Sequence, residues 1–419
     1  MSKYALPTVV GLLAVVFASP ILASSTFGGI VFTDVYSVKK TAANNSGGVA
    51  NSSSADADSV SATRVELPNI TRIRASWSNE DDVGLYAELG LGGNSGATGV
   101  STRHAYGTYR FTDRWQILAG HSSSPFSPLF PNQLIGNSAS GSASGPVTAI
   151  GSLATTDRIG GNHNVGKGYG EMDSGRSPQV RFTYSLPNQR GAIAIALLDA
   201  NSGGSSISPS ASTATTPARD SQLPRIDIGG AYNLYNVRVF PGLSYQKTTY
   251  NGVAAGSDDS VTTWAASFGL QTGTGPFEVS AEYNRGSNWR NAGYSLGNSP
   301  AALGSGAFTY AGGTRVGDTD STSYWVDLGW RVTTTNTQSV IHLVYGAMRS
   351  KSADATALDF SHKSTMLGVS WAIDMPWIAR GFTVRPEVFT YNEGQSTQGT
   401  AVVDYGKETI VGVQLQFTF

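Results

Sequence analysis

The segment Lys407 to Phe419 alternates without a break. Val411, Val413, Leu415, Phe417 and Phe419 fall on one side, and Gly412, Gln414, Gln416 and Thr418 on the other. A β-strand sends successive side chains to opposite faces, so this strand has one apolar and one polar face. In a soluble sheet, Val, Leu and two Phe need a core to cover them. A membrane β-barrel uses both faces at once, with lipid outside and water inside. The constraint holds if the rest of the chain repeats the pattern.

It does repeat. Gly29 to Val38 reads as a first strand, and the polar Ser/Asn-rich stretch that follows, to about Pro68, reads as a loop. Thr71, Ile73, Ala75 and Trp77 oppose Arg72, Arg74 and Ser76; after the turn Asn79 to Asp82, Val83, Leu85, Ala87, Leu89 and Leu91 oppose Tyr86 and Glu88. Two such runs joined by a tight polar turn form a hairpin. Ala105, Gly107, Tyr109 and Phe111 then oppose His104, Tyr106, Thr108 and Arg110, and Val180, Phe182 and Tyr184 oppose Arg181 and Thr183. The same scheme runs through Ile226 and Ile228 against Arg225 and Asp227, Trp264 to Leu270, Phe277 to Tyr283, Tyr324 to Val332, Ile341 to Tyr345, Leu367 to Ile373 and Phe382 to Tyr391. About sixteen strands are expected, joined alternately by short turns and long polar loops. The long ones are 122–176, Ala200 to Gln222, a loop around Asn251-Gly252, Arg285 to Thr322, Ser350 to Ser361 and Asn392 to Gly406. A soluble sandwich has no reason to place its long loops at one end. Aromatic residues at strand ends, among them Trp77, Tyr109, Trp115, Trp264, Tyr324, Trp330, Tyr345 and Trp371, suit the two membrane interfaces, where a ring is half dry and half wet.

Composition agrees. Charged residues make up 14% and glycine is abundant at 50 residues, which favours turns and strands over helices. Apart from the first residues, no apolar run approaches the ~20 residues of a helical span. Cysteine is absent, which removes disulfides and thiolate metal sites and suits passage through an oxidising periplasm. The formal net charge of -1 calls for no nucleic-acid partner. Residues 1–23, with Lys3, the apolar Val9 to Phe17 and a small residue at Ala23 or Ala18, read as a secretory signal, leaving 24–419 as the barrel.

Three places carry a family resemblance: NITRIRASWSNEDDVGLYAELGL from Asn69 to Leu91, Arg103-His104-Ala105-Tyr106 running on to Pro125-Phe126, and the terminal Phe419. With the strand layout, they make the chain resemble the general porins, the trimeric sixteen-stranded diffusion channels of Gram-negative outer membranes. The resemblance implies an all-β transmembrane antiparallel barrel with short periplasmic turns, long external loops, and a third long loop, 122–176, folded into the lumen to narrow it. It also implies a homotrimer set in outer-membrane lipid and lipopolysaccharide, passing small hydrophilic solutes and ions without a cofactor. The loop's acids are Asp157, Glu171 and Asp173, although the family's compact acidic signature is missing there. Arg72, Arg74, Arg110 and Arg181, with Glu88, face inward by alternation and supply the other side of a pore constriction. Opposed carboxylates and guanidiniums across a narrow aqueous gap make a transverse field, and an arginine keeps its charge at any working pH.

Enzyme readings fail on context. Gly161 to Gly168 approaches a phosphate-binding loop, but Gly168 stands where a Ser or Thr hydroxyl must reach magnesium. Gly293-Tyr294-Ser295-Leu296-Gly297 matches a nucleophile elbow by letter only, in a Gly/Ser-rich loop without the strand-to-helix turn. His104, His121, His163, His342 and His362 lack metal-ligand spacing. Two other readings stay open: a channel selective for one substrate class, an anion or a sugar, and a non-conducting barrel that displays its loops or encloses a partner.

Overall fold

The computed structural model describes residues 24–40, 45–46, 60–68, 70–91, 93–94, 97–129, 131, 169–172, 175–200, 218–221, 223–254, 257–294, 296, 305–309, 316–334, 337–353, 360–392, 394–398, 401–404 and 407–419. Residues 1–23, expected from the sequence to be a secretory signal, lie outside them.

Sixteen antiparallel strands close into a barrel. The first eight are β1 (Ser24–Lys40), β2 (Arg72–Ser78), β3 (Val83–Gly90), β4 (Ser101–Arg110), β5 (Trp115–Ser123), β6 (Arg176–Ser185), β7 (Gly191–Leu198) and β8 (Arg225–Leu234). The rest are β9 (Val237–Ala254), β10 (Ser257–Thr274), β11 (Phe277–Ser287), β12 (Thr319–Thr333), β13 (Gln338–Ser352), β14 (Phe360–Asp374), β15 (Phe382–Asn392) and β16 (Lys407–Thr418). Each pairs with its neighbours in sequence, and β1 pairs with both β2 and β16, so the wall has no free edge.

Alternation sets the faces. On β7, Ile193, Ile195 and Leu197 are exposed, whereas Ala194, Ala196 and Leu198 between them are buried. Val411 and Phe417 of β16 point out, and Gln414 is 1% exposed inside. Tyr109, Trp115, Trp264, Tyr324, Trp330, Tyr345 and Trp371 all lie exposed on the outer surface, as a membrane barrel requires. The packed side chains are inside the ring.

Closure is made at the last residue. Phe419 N–H donates to Gly29 O at 3.1 Å, and Gly29 N–H donates to Phe419 O at 3.0 Å. Gly29 has no Cβ because one would stand 2.5 Å from the Phe419 ring and 2.9 Å from Arg72 O.

The loop ends differ from the sequence expectation: short strands Ala218–Asp220, Gln395–Gln398 and Ala401–Asp404 stand inside the loops expected at Ala200 to Gln222 and Asn392 to Gly406, and three further places depart from it. The stretch before Pro68 is not all loop: Val60–Glu66 pairs with the outer half of β1, Lys40 facing Val60 and Asp34 facing Glu66. The loop expected around Asn251-Gly252 is strand, since β9 and β10 pair out to Ala254 opposite Ser257. Arg285 to Thr322 starts and ends as strand, because β11 runs to Ser287 and β12 begins at Thr319. In each case backbone pairing with an adjacent strand extends order where the side chains carry no apolar alternation.

Gly29→Val should slow barrel closure in detergent and leave a larger unfolded fraction, read as loss of the heat-modifiable band on an unboiled gel. A conservative change at exposed Thr26 should leave that band intact.

Candidate functional site

Inward positions on β8, β9 and β10 are glycine at three neighbouring places, Gly229, Gly242 and Gly269. The first arm of the third long loop lies along this track. A Cβ on Gly229 would run into Pro125 O, one on Gly242 would come within 3.0 Å of the Phe126 ring, and one on Gly269 within 2.6 Å of Leu129. The return arm, 169–172, lies over β12 and β13, where Gly346 leaves room for Tyr169 O. Ser127 joins arms and wall, its Oγ lying 2.5 Å from Met172 O and 2.9 Å from Glu282 Oε1. The described arms of the loop therefore fold into the lumen.

Asp227 anchors it. This carboxylate is 0% exposed, accepts hydrogen bonds from Ser124 Oγ and Ser244 Oγ, each at 2.5 Å, and pairs with Arg225 Nη2 at 3.0 Å. Arg225 Nη1 donates to Ala292 O at 2.6 Å, and its guanidinium stacks 5.1 Å over the Tyr294 ring. Burial raises the Tyr294 phenol well above its ordinary pKa, and the nearby Asp227 charge adds to this.

Ala292 and Tyr294 belong to a second loop that also turns inward. A short 3-10 turn, Trp289–Ala292, follows Asn288, whose amide donates to Thr262 O and Asp318 Oδ1. Asn291 donates to the Tyr250 hydroxyl at 2.8 Å. Phe126, Met172, Trp289, Tyr294 and Met348 form one buried cluster, so the two loops pack on each other within the barrel. Sequence reasoning missed this second loop. The available signal was a Trp flanked by buried amides in a stretch otherwise poor in apolar residues. Of the stretch Gly293 to Gly297, Gly293 and Tyr294 follow this 3-10 turn directly, and Ser295 and Gly297 lie outside the described residues.

The predicted site residues divide. Arg72 and Glu88 meet, Nε to Oε2 at 3.5 Å. Arg74 is exposed to the lumen on the position opposite Glu88. Arg181 stands opposite Leu118, its Nη1 donating to Ser123 O at 3.2 Å. Arg110 is at the short-turn end of β4, 3.7 Å from Asp82, with both side chains exposed. Glu171 is buried in the return arm, while Asp157 and Asp173 lie outside the described residues.

Two arginines were not foreseen. Strict alternation puts Arg103 with outward Ala105, but the register shifts between Glu88 and Leu89, and Arg103 turns inward to pair with Glu88 at 2.7 Å. Arg176 Nε donates to His104 Nε2 at 3.2 Å. The wall β2 to β6 thus carries Arg72, Arg74, Arg103, Arg176 and Arg181, with Glu88 paired to Arg72 and Arg103 among them.

In a ring of sixteen, β11 to β15 stand largely across the lumen. There the inward-facing acids are Glu278, Glu282, Asp327, Asp374 and Glu387. Asp327 accepts from His342 Nδ1 at 2.9 Å, Glu387 from Ser370 at 2.6 Å, and Glu278 pairs with Arg331 at 3.1 Å. The carboxylates expected on the loop are accordingly joined by carboxylates of the far wall.

No protein-family model and no curated protein sequence matches the chain. Solved structures do match along nearly its whole length. The outer membrane channel DcaP of Acinetobacter baumannii shares 18% identity with a TM-score of 0.64, covering 96% of this chain and 99% of that one. The anion-selective porin from Comamonas acidovorans shares 13% with a TM-score of 0.56, covering 95% and 100%. A loop-deletion form of OmpT, an outer membrane protein of Vibrio cholerae, shares 10% with a TM-score of 0.51, covering 95% and 100%. The fold is that of the Gram-negative outer-membrane porins.

Asp227→Ala removes the acceptor of three donors and leaves the buried Arg225 charge without its carboxylate, a loss of about 3–5 kcal/mol in such pairs. The expected result is a lower guanidinium midpoint together with faster protease cleavage within 124–131, measured on the folded protein in detergent.

Proposed function

We propose that the chain is an outer-membrane porin, a passive water-filled channel for small hydrophilic solutes and ions, with a preference for anions. Residues 1–23 act as its secretory signal, and the short-turn end faces the periplasm. Solutes move down their gradients, so the proposal needs no cofactor. The observation that carries the anion preference is the unequal exposure of the two walls. Arg74 opens to the lumen with no carboxylate within ion-pair distance among the described residues, whereas on the facing wall Glu282, Asp327 and Glu387 are at most 5% exposed, and the two more open acids, Glu278 and Asp374, are engaged by Arg331 and Thr383. A carboxylate buried behind its donors contributes less field to a passing ion than a guanidinium in water. The similar fold of an anion-selective porin supports the same sign.

Arg72, Arg74 and Arg181, with Glu88, line the selective wall in this reading, and Arg110 with Asp82 lines the periplasmic mouth. The loop acids Asp157, Glu171 and Asp173 complete the constriction. The barrel assembles as a homotrimer in lipid and lipopolysaccharide; a trimer form of Vibrio cholerae OmpT, a fold match with a TM-score of 0.50, supports that assembly.

A second reading has a specific observation behind it. Two loops, not one, occupy the lumen, as a partner-filled or non-conducting barrel would allow.

Planar-bilayer recording separates the readings. The porin should give conductance steps closing in threes and a reversal potential of anion sign in a salt gradient, and Arg74→Glu should move that potential toward cations. Silent, correctly folded protein would overturn the channel.

A further inference from the structure

Below the Arg72–Glu88–Arg103 cluster the inner wall sinks. Inward positions there are small: Ser76 and Ser78 on β2, Gly84 on β3, Gly120 on β5. Gly84 is required, since its Cβ would lie 2.7 Å from Thr108 Oγ1. Gly120 adopts a φ of +134°, and a Cβ there would meet Ala105 O and Tyr106. The result is a recess of about 310 Å³ in the lumen wall, lined by Ser76, Tyr86, Tyr106, Thr108, Gln116 and Arg181. That volume is at the lower end of the ~300–1,000 Å³ typical of small-molecule sites.

The lining is organised. Tyr86 and Tyr106 are stacked, centroids 5.3 Å apart and planes 28° from parallel, and Tyr86 OH is fixed by donation to Glu88 Oε2 at 3.0 Å. Arg181 is fixed by its Nη1 bond to Ser123 O, while its enclosed Nε has no partner among the described residues. An enclosed guanidinium N–H without an acceptor is an unmet demand for a hydrogen bond.

We infer that this recess is a binding subsite for a hydroxylated monocarboxylate of sugar size, a sugar acid. The guanidinium takes the carboxylate, the hydroxyls of Ser76 and Thr108 and the Gln116 amide take the solute's hydroxyls, and the tyrosine pair covers the apolar face of its ring. A simple halide makes no use of the three neutral polar groups. An unsubstituted aromatic acid would leave Thr108 and Gln116 desolvated without a solute partner, while Ser76 keeps only its 2.6 Å bond to Thr26 Oγ1, a loss that hydrogen-bonding sites use to reject analogues lacking hydroxyls. The inference rests on the channel reading for how the solute arrives.

The test is calorimetric titration of the folded, detergent-solubilised protein with D-glucuronate, D-glucose and benzoate, beside potassium chloride conductance of the same preparation. Saturable glucuronate binding is expected, with glucose and benzoate each ~10-fold weaker or more, and with Arg181→Gln weakening glucuronate by ~10-fold or more. Ser76→Leu, which fills the recess without touching the charge, should also weaken it; heat-modifiable gel mobility identifies a variant that fails to fold, and Arg181→Gln then decides alone. Benzoate binding as tightly as glucuronate, or variants that bind like the parent, overturns the assignment. Conductance without saturable glucuronate binding sinks the recess and spares the channel; binding without conductance does the reverse.

Discussion

An unpaired backbone N–H or C=O in hydrocarbon costs several kcal/mol, and a sheet has two edges full of them. This protein removes both edges by pairing β1 with β16 as well as with β2, and the last residue completes the join through two bonds between Gly29 and Phe419. Everything else follows from a closed wall. The outward set must be apolar because it meets lipid, so the usual relation of core to surface is inverted. The large exposed residues are hydrophobic, and the deeply buried ones include Asp227, Glu282, Asn284 and Gln414.

A closed wall of this size encloses more space than its own inward side chains fill. Two loops take up part of it, and each needs a place cleared in advance. The third loop lies on strand glycines, and the 288–294 loop is tied in by Asn288, Asn291 and Arg225. Asp227 is where these ties converge, since the loops' hold on the wall runs through Ser124 on one side and Arg225 on the other. A buried carboxylate with three donors is a stable fixed point only while all three remain, which makes the loop position sensitive to a single change far from the pore's charged lining.

The charged lining itself is asymmetric in number and in exposure. Arginines gather on β2 to β6 and carboxylates on β11 to β15, yet the carboxylates are largely consumed by His342, Ser370 and Arg331. Fields in a narrow aqueous gap are set by charges that solvent and solute can approach, so in the proposed channel the basic wall is the one a permeating ion would meet. The small-residue recess beside it places neutral hydrogen-bonding groups next to that charge, a combination suited to an organic anion more than to a bare ion.

Most of the wall was legible from residues alone. Val411 to Phe419, Ile226 to Ile228 and Phe277 to Tyr283 alternate because lipid and water impose opposite demands at each successive position, and that demand is local enough to be written into the chain. The inward placement of Arg72, Arg74, Arg181 and Glu88 follows from the same rule. Arg103 does not, because one shifted register beside Glu88 reverses its face, and register depends on the neighbouring strand. The pairing of Val60–Glu66 with β1, the extension of β9 and β10 past Asn251, the glycine track under Phe126 and the meeting of Ser124 with Asp227 were likewise decided only in three dimensions. They join residues far apart in the chain through backbone pairing and close packing, which leave no periodic trace in either partner's sequence.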